Sequence, residues 1–271
     1  MKQVYLLLFL ILFKLVYDRL SWIRIQQITY PVLKMDDNQL IPKIIHQTHK
    51  SKKVPTNMAK ALSSWIKTNP EYEHRYYTDS DIHNIMQHTH PRVQAAYHKL
   101  CTEYPDLGAK KADLFRLVLM YEYGGVYTDA DTYATTPLRN IIQEDDEFVS
   151  GVGALRDFHQ WIIIATPKHP FVQQALFATV FSIMHKKPYV FEDWTGPLVY
   201  NRSISKYCDN NDHKLSIDEG VHTFTNETGE HVKYRVIGGD YLGNQVIFKY
   251  PGYQKDLQKM KVKHHTMFNV L

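Results

Sequence analysis

The chain has 271 residues, of which 44% are hydrophobic, and this content is sufficient for a complete core in one domain. Its formal net charge of +4 comes from 32 basic and 28 acidic residues. The basic residues are scattered along the chain, which argues against a nucleic-acid-binding protein. The two cysteines, Cys101 and Cys208, match no metal or redox spacing and are compatible with two buried thiols or with one disulfide.

The N-terminal 20 residues contain a short apolar run. Residues 4–13 are apolar, Lys14 interrupts them, and residues 15–17 continue the run before Asp18. The run is shorter than the roughly 20 residues of a comfortable membrane-spanning helix, and no small-residue cleavage motif follows it. We interpret residues 1–20 as an uncleaved signal anchor of a single-pass type II membrane protein, which in a eukaryote would face the Golgi or ER lumen. A cleaved signal peptide and a membrane-surface helix are the alternatives.

The remaining chain is interpreted as a polar stem over residues 21–40 and one domain over residues 41–271. Residues 41–48 and 72–78 are rich in strand-forming side chains. Residues 56–68 carry apolar side chains at helical spacing, and a further helix is predicted from residue 79. Strand, helix, strand and helix in this order indicate an α/β fold with an open, mostly parallel sheet and flanking helices.

Two more helices are predicted, over residues 91–100 and 107–123. The longer one carries an apolar stripe for the core, formed by Leu114, Leu117, Val118 and Tyr121. Gly124 ends this helix in the usual way. Asp113 and Arg116 lie about a third of a turn away from the stripe, where they can face a cleft.

The C-terminal half shows weaker patterns. The predicted strands are residues 147–152, 161–166, 221–225 and 232–238, and the predicted helices are residues 170–185 and 195–206.

Two acidic residues, Asp129 and Asp131, follow a short predicted strand at residues 126–128. Residues i and i+2 of a strand share one face, and the carboxyl ends of strands in open α/β sheets are where ligands bind. Mg²⁺ and Mn²⁺ prefer carboxylate oxygens, with substrate phosphates and water completing the coordination. We therefore predict a divalent cation and diphosphate site, with Asp131 as direct ligand and Asp129 as a water-mediated ligand or ribose contact. Tyr127 either lines this site or packs in the core.

Five segments, taken in order, resemble glycosyltransferase family 32. They are residues 41–48, 69–72, 111–116, 124–131 and 195–197, with the sequences IPKIIHQT, NPEY, KADLFR, GGVYTDAD and TGP. The resemblance covers about residues 41–200. It implies a GT-A fold, a UDP- or GDP-linked sugar donor, a Mn²⁺ or Mg²⁺ ion, a glycan or glycolipid acceptor, and retention of the anomeric configuration.

The resemblance also implies roles for single residues. Asp113 and Arg116 would lie against the donor sugar, and Asp129 and Asp131 would bind the metal and the nucleotide; these four form the predicted catalytic set. Arg116 can offer its fork to sugar hydroxyls or phosphate oxygens. A surface ion pair between Asp113 and Arg116 is the alternative.

Further predicted donor contacts are His46, Gln47, Thr48, Tyr127 and Asp129. The relatives commonly read Ile-His-Gln-x-Trp, whereas this chain places a second imidazole, His49, at the position of the indole.

A late histidine often completes the metal shell in GT-A enzymes. We predict His264 as this third ligand, ahead of the adjacent His265, although the usual Gly-Ser-Trp ending is absent.

Two other functions fit an Asp-x-Asp pair. One is a non-catalytic carbohydrate-binding protein with the same fold. The other is a phosphatase of the haloacid dehalogenase type, which normally carries the motif after its first strand and has Thr or Val where this chain has Tyr133.

Overall fold

The computed structural model of the protein describes residues 22–24, 38–153, 155–185 and 194–260. The predicted signal anchor and His264 lie outside this part of the chain. The strands, in chain order, are β1 (Trp22–Arg24), β2 (Ile44–Thr48), β3 (Lys53–Pro55), β4 (Glu73–Tyr77), β5 (Gly125–Thr128), β6 (Thr132–Ala134), β7 (Phe148–Gly151), β8 (Ile162–Ala165), β9 (Gly220–Thr225), β10 (His231–Ile237) and β11 (Val246–Phe248). The helices are α1 (Thr56–Thr68), α2 (Asp79–Met86), α3 (Pro91–Glu103), α4 (Gly108–Tyr123), α5 (Pro170–His185), α6 (Pro197–Asn210), α7 (Asp240–Asn244) and α8 (Tyr253–Met260), with a 3₁₀ turn at Leu138–Asn140.

A seven-stranded sheet in the order β4-β2-β5-β8-β7-β10-β9 forms the centre of the domain. Strand β2 pairs in parallel with β4 and β5, and β10 pairs in parallel with β7. Strand β8 is antiparallel to both β5 and β7, and β9 is antiparallel to β10. Five of the seven strands therefore run in one direction, which confirms the predicted mostly parallel sheet.

Side chains alternate between two cores on opposite faces of this sheet. Tyr127 and Ile163 belong to a core that includes α3, α4, α5 and α6, whereas Val126 and Ile164 belong to a core with Trp65 of α1. The alternation is the period of two that a strand imposes. Helices thus cover both faces, as expected for an α/β fold.

Helix α4 is buried on nearly all sides, which the sequence did not predict. The predicted stripe is correct for Leu114, Leu117 and Val118, which are buried, but the opposite side of the helix is also covered. Asp113 and Arg116 are only 8% and 7% exposed. A solvent-exposed ion pair is therefore excluded for these two residues.

The junction of α4 and β5 requires two glycines. Gly124 and Gly125 have φ angles of 61° and 92°, in the region that favours glycine. A Cβ atom would lie 2.6 Å from the backbone nitrogen of Pro167 at Gly124 and 2.6 Å from the carbonyl oxygen of Ile44 at Gly125. The double glycine therefore allows β5 to turn directly out of the helix and into the sheet.

Most sequence-predicted elements are confirmed. Helices over residues 56–68 and 170–185 have the predicted bounds, and residues 220–237 form the predicted strand pair. The helix predicted from residue 195 begins at Pro197, because Gly196 is its N-cap. Four short strands, β1, β3, β6 and β11, were not predicted, because three residues are too few to show a periodicity.

Cys101 and Cys208 are free thiols in the structure. No helix within the described ranges combines the length and the apolar character that crossing a bilayer requires.

Candidate active site

Arg116 is the centre of a buried polar network. Its Nη2 atom lies 3.1 Å from Oδ1 of Asp113, one turn earlier on α4, and 3.1 Å from Oδ1 of Asp129, just after β5. Its Nη1 atom donates a hydrogen bond to the carbonyl oxygen of Gln160 at 3.0 Å. The guanidinium carbon also lies 4.8 Å from the centre of the Tyr127 ring.

The charge of Arg116 is stabilised by its neighbours. Burial alone lowers the pKa of the guanidinium, but the nearby Asp129, Tyr127 and Asp113 outweigh it and raise the pKa above its ordinary value. Removing one partner of a buried charge pair leaves the other charge without compensation. A substitution of Arg116, Asp113 or Asp129 is therefore expected to disturb the other two side chains as well.

Asp113 holds Arg116 in place. While its Oδ1 faces Arg116, its Oδ2 accepts a hydrogen bond from the hydroxyl of Thr195 at 2.9 Å. Thr195 belongs to the TGP segment and lies just before α6, whose N-cap is Gly196. Both oxygens of Asp113 are thus engaged, which suits a residue that orients Arg116.

The hydroxyl of Tyr127, which itself contacts Thr48, holds the side chain of Asp129. Tyr127 donates a hydrogen bond to Oδ1 of Asp129 at 2.9 Å, and the Thr48 hydroxyl lies 3.1 Å from that of Tyr127. Burial raises the pKa of Tyr127 far above its ordinary value, so that the phenol stays a donor. Tyr127 is 1% exposed, so its ring packs in the core and its hydroxyl orients the carboxylate.

The predicted donor contacts on β2 lie beside and beneath this network. Gln47 approaches the carbonyl oxygen of Asp129 with its Nε2 at 3.5 Å, and its Oε1 lies 2.7 Å from Nε2 of His74. His46 is fully buried, with Nδ1 3.0 Å from the hydroxyl of Tyr77 and Nε2 3.0 Å from the carbonyl oxygen of Gly124. Both ring nitrogens of His46 have partners inside the protein, which favours a structural role beneath the site over direct contact with the donor.

The two acids lie in a tight turn between β5 and β6, directly after the predicted strand. The backbone N–H and the hydroxyl of Thr132 both donate to the carbonyl oxygen of Asp129, at 3.1 and 2.7 Å. The indole Nε1 of Trp65 donates to the Thr132 hydroxyl at 3.1 Å. These hydrogen bonds hold the turn in one conformation. The relative positions of Asp129 and Asp131 are therefore set by the turn and not by the alternation of side chains along a strand.

Asp131 has one oxygen that the protein does not satisfy. Its Oδ1 is buried and has no hydrogen-bond partner among the residues that the structure describes. Burial, and then the charge of Asp129, raise the pKa of Asp131 to about 7, while Lys249 and a hydrogen bond with Tyr253 oppose the rise. An unpaired buried carboxylate oxygen is costly, and a bound cation would offset that cost.

These donors fit a divalent cation held mainly by its substrate. No group of three or more His, Cys, Asp or Glu side chains able to hold a metal occurs within the described ranges. Two carboxylates nevertheless suffice when phosphate oxygens and water supply the other ligands. Asp131, through its free oxygen, and Asp129 are the residues that would hold the ion.

The residues around Asp131 come from the C-terminal part of the chain, and sequence reasoning missed them. Strand β11 pairs with β6, and the backbone N–H of Tyr250 donates to the carbonyl oxygen of Asp131 at 2.9 Å. The ammonium group of Lys249 lies 5.1 Å from the Phe248 ring and 5.6 Å from the Tyr253 ring. The segment 248–253, in which three aromatic residues surround a lysine, was the available signal.

An aromatic wall continues from this segment. The rings of Phe248 and Trp161 stack with centroids 4.9 Å apart, and the carbonyl oxygen of Trp161 accepts a hydrogen bond from the backbone of Asp129 at 2.9 Å. Both rings are partly exposed. Partly exposed aromatic faces beside a polar site are suitable for sugar rings.

The fold therefore brings most of the predicted site together. Asp113, Arg116, Tyr127 and Asp129 are in direct contact, and Gln47 and Thr48 touch this cluster. The third predicted metal ligand, His264, stays a prediction.

Residues 55–148, which contain α4, β5 and the acidic turn, match a family model described as a glycosyltransferase sugar-binding region containing a DXD motif. This part of the chain is therefore similar to the DXD family. The match ends at β7, so the Lys249 segment lies outside it.

Two curated yeast proteins are similar to this chain. Inositol phosphoceramide mannosyltransferase 1 of Schizosaccharomyces pombe is 28% identical over 62% of this chain and 52% of its own length. The initiation-specific alpha-1,6-mannosyltransferase of Candida albicans is 26% identical over 68% of this chain and 57% of its own length. The chain thus spans about half the length of these curated relatives.

One solved structure resembles this chain in fold. The PaToxG glycosyltransferase superposes with a TM-score of 0.51 at 16% identity, over 64% of this chain and 72% of the other. This likeness concerns the fold alone and supports the GT-A-like α/β architecture.

Proposed function

We propose that this protein is a metal-dependent glycosyltransferase, which moves a sugar from a nucleotide-sugar donor to a glycan or glycolipid acceptor. The observation that carries the proposal is the buried, unpartnered oxygen of Asp131 beside the ion-paired Asp129. A buried carboxylate oxygen without a hydrogen-bond partner among the described residues is suited to bind a cation and is not used in a structural ion pair. The match of residues 55–148 to the DXD family model supports the same reaction class.

Arg116 supplies fixed positive charge in the proposed reaction. Cleavage of the bond between sugar and diphosphate develops negative charge on the leaving oxygen and positive character on the sugar ring. A preorganised guanidinium stabilises such charge without reorganisation, because Asp113 and Gln160 already hold it. Its Nε is buried without a partner in the described residues, so one N–H remains for a substrate oxygen.

The other groups of the proposed site orient Asp129 or neutralise the diphosphate. Tyr127 and Thr48 keep the Asp129 carboxylate in one orientation. A bound Mn²⁺ or Mg²⁺ would neutralise the diphosphate as its charge grows.

The stereochemical outcome proposed is retention. In this scheme the acceptor hydroxyl attacks the anomeric carbon on the face that the diphosphate leaves. The C–O bond to the diphosphate breaks with its electron pair, and the diphosphate takes the acceptor proton. No side-chain nucleophile is needed, which agrees with the full engagement of Asp113.

The names of the relatives suggest which substrates to test first. Both yeast proteins are named as mannosyltransferases, and one is named for inositol phosphoceramide. Mannose is therefore the first sugar, and a phosphoinositol glycolipid the first acceptor, to examine.

We also propose that residues 1–20 anchor the protein as a single-pass type II membrane protein. The support is the apolar run at residues 4–13 and the sugar-transfer chemistry proposed above, which on a glycolipid requires a membrane-bound substrate.

The test uses the full-length protein with UDP- and GDP-hexoses, and measures release of the nucleoside diphosphate with Mn²⁺ or with EDTA. We expect metal-dependent release with one donor, a loss of at least 100-fold in Asp131→Asn, and wild-type release in the control Glu103→Gln, an exposed acid on α3. Donor binding without release by the wild-type protein would instead identify a carbohydrate-binding protein. Full release by Asp131→Asn would exclude the proposed site.

A further inference from the structure

Helix α5 carries an apolar face that the described chain leaves exposed. Its 16 residues include no Asp, Glu, Lys or Arg. One side, with Phe171, Leu176 and Ile183, is buried in the core. On the other side Phe177 is 56%, Phe181 60% and Met184 37% exposed. We name these last three residues the α5 stripe.

The stripe is one continuous feature. Its members are spaced i, i+4 and i+7, which places them on one side of a helix over a length of about 10 Å. An exposed phenylalanine costs free energy in water, and two on successive turns form a patch. Such a patch indicates a surface that is covered when the protein works.

An open groove of about 1370 Å³ runs along this stripe between α3, α4 and α6. Its basic lining residues are Arg92 of α3 and Arg202 and Lys206 of α6, and its acidic lining residue is Glu122 of α4. Arg92 and Lys206 are exposed. Another cation, the Lys99 ammonium, donates to the carbonyl oxygen of Met184 at 3.2 Å at the end of α5. The rim of the stripe is therefore positively charged.

We propose that the α5 stripe and its basic rim dock on the surface of an anionic lipid bilayer. Apolar side chains enter the boundary between headgroups and acyl chains, and lysine and arginine beside them attract anionic headgroups. Charge and hydrophobicity both match this partner. The site would be a second membrane contact, separate from the N-terminal segment and independent of the proposed transferase activity.

A second copy of the chain fits this surface less well. A symmetric dimer through the stripe would place the two basic rims against each other, and like charges repel. The exposed parts of three side chains also amount to roughly 300 Å², whereas a stable protein interface buries about 800 Å² on each partner.

The N-terminal segment could also bind vesicles, so a measurement of vesicle binding alone would not identify the contact surface. The test therefore follows hydrogen–deuterium exchange along the full-length protein, which reports on α5 separately. We expect backbone amides of residues 174–185 to exchange at least fivefold more slowly with vesicles of phosphatidylcholine and phosphatidylserine (7:3) than with phosphatidylcholine alone. The protection should fall as NaCl is raised from 0.05 to 0.5 M.

Variants distinguish docking through the α5 stripe from non-specific adsorption to vesicles. Phe177→Ser/Phe181→Ser should abolish the protection, and Arg92→Glu/Lys206→Glu should weaken it at least fivefold. Leu155→Ser, which changes a leucine that is 88% exposed elsewhere, should leave it unchanged. Circular dichroism and the melting temperature verify that each variant is folded.

Three results would overturn the proposal. One is unchanged exchange in α5 while vesicles bind. The second is protection without vesicles that rises with protein concentration, which would identify a second copy as the partner. The third is protection without vesicles that disappears when residues 4–17 are deleted, which would identify the chain's own apolar segment.

Discussion

Arg116 and Asp129 form an ion pair of 3.1 Å between the buried helix α4 and the turn that follows the central strand β5. The same guanidinium nitrogen also contacts Asp113 at 3.1 Å. One cation therefore joins a helix and a turn at the end of the sheet, and it positions the first acid of the DXD motif.

Arg116→Lys should reduce turnover at least 100-fold, because a single ammonium cannot contact Asp113, Asp129 and the carbonyl of Gln160 together. The free energy of unfolding should fall by about 2 kcal/mol, since the buried carboxylates lose part of their compensation. Steady-state kinetics and urea titration measure both effects. The control Arg75→Lys alters a partly exposed pair with Glu73 and should change stability by less than ~0.5 kcal/mol. Wild-type turnover in Arg116→Lys would refute the role of the guanidinium.

Tyr127→Phe should lower kcat/KM about tenfold and stability by about 2 kcal/mol. The substitution removes only the hydroxyl that donates to Asp129, and hydrogen bonds to charged groups are worth roughly 1.5–3 kcal/mol. Kinetics with the preferred donor measure the first effect and thermal unfolding the second. Tyr123→Phe, at a half-exposed tyrosine of the same helix–strand region, should change neither quantity. Equal behaviour of the two variants would show that the hydroxyl of Tyr127 does not orient Asp129.

Lys249→Gly should stabilise the fold and weaken donor binding at the same time. Lys249 has a φ angle of 63°, where a non-glycine residue costs about 1–2 kcal/mol. We expect a gain of about 1 kcal/mol in stability and at least a tenfold weaker affinity for nucleoside diphosphates, whose phosphates would lose a cation near Asp131. Calorimetry measures the affinity, and Lys255→Gly, on the exposed side of α8, tests whether any lost lysine has this effect. Unchanged affinity in Lys249→Gly would show that the strained lysine does not contact the phosphates.

Acid should destabilise the protein through its buried histidines. Burial lowers the pKa of His169 to about 4, and its Nδ1 must stay unprotonated to accept the backbone N–H of Phe171 at 3.2 Å. Below pH 6.5 the unfolded chain therefore binds a proton that the folded chain excludes. Stability is complete above pH 6.5 and falls by about 3 kcal/mol for this group as the pH drops to 4.

His169→Gln should make this pH dependence shallower by about one proton. Urea unfolding at pH 7.5, 6.0 and 5.0 measures the slope, and the exposed His231→Gln serves as the control. The variant should also lose some stability at pH 7.5, because the His169 ring packs at 5.1 Å from Phe148. An unchanged slope would place the acid sensitivity elsewhere, for instance at the fully buried His46, whose pKa burial also lowers to about 4.

Much of the fold could be predicted, because strands and helices with clear periodicity interact mainly with their own neighbours in sequence. The helix at residues 56–68 and the strand–acid sequence at residues 126–131 are examples. The stripe of α4 was predicted correctly, but not the cover on its other side, since periodicity shows which face is apolar and not how many partners pack on the helix. For that reason the burial of Asp113 and Arg116 was not expected.

The candidate site likewise contains residues that the sequence indicates and residues that only the tertiary structure brings together. Asp113, Arg116, Asp129 and Asp131 are visible in the sequence, because their spacing and the double glycine are local features. Lys249, Tyr250 and Tyr253 reach Asp131 from more than 100 residues away through the pairing of β11 with β6. A three-residue strand leaves no periodic pattern, so only the assembled chain shows that these side chains complete the site.

By itself the amino-acid sequence determined the chemistry that the protein carries: two acids after a strand, an arginine and an aspartate one helical turn apart, and glycines where no side chain fits. The tertiary structure alone decided how these groups are used. It buried Arg116 between two carboxylates, left one oxygen of Asp131 without a partner, and exposed two phenylalanines of α5. Burial and pairing depend on contacts between distant segments, and such contacts arise only when all layers pack together.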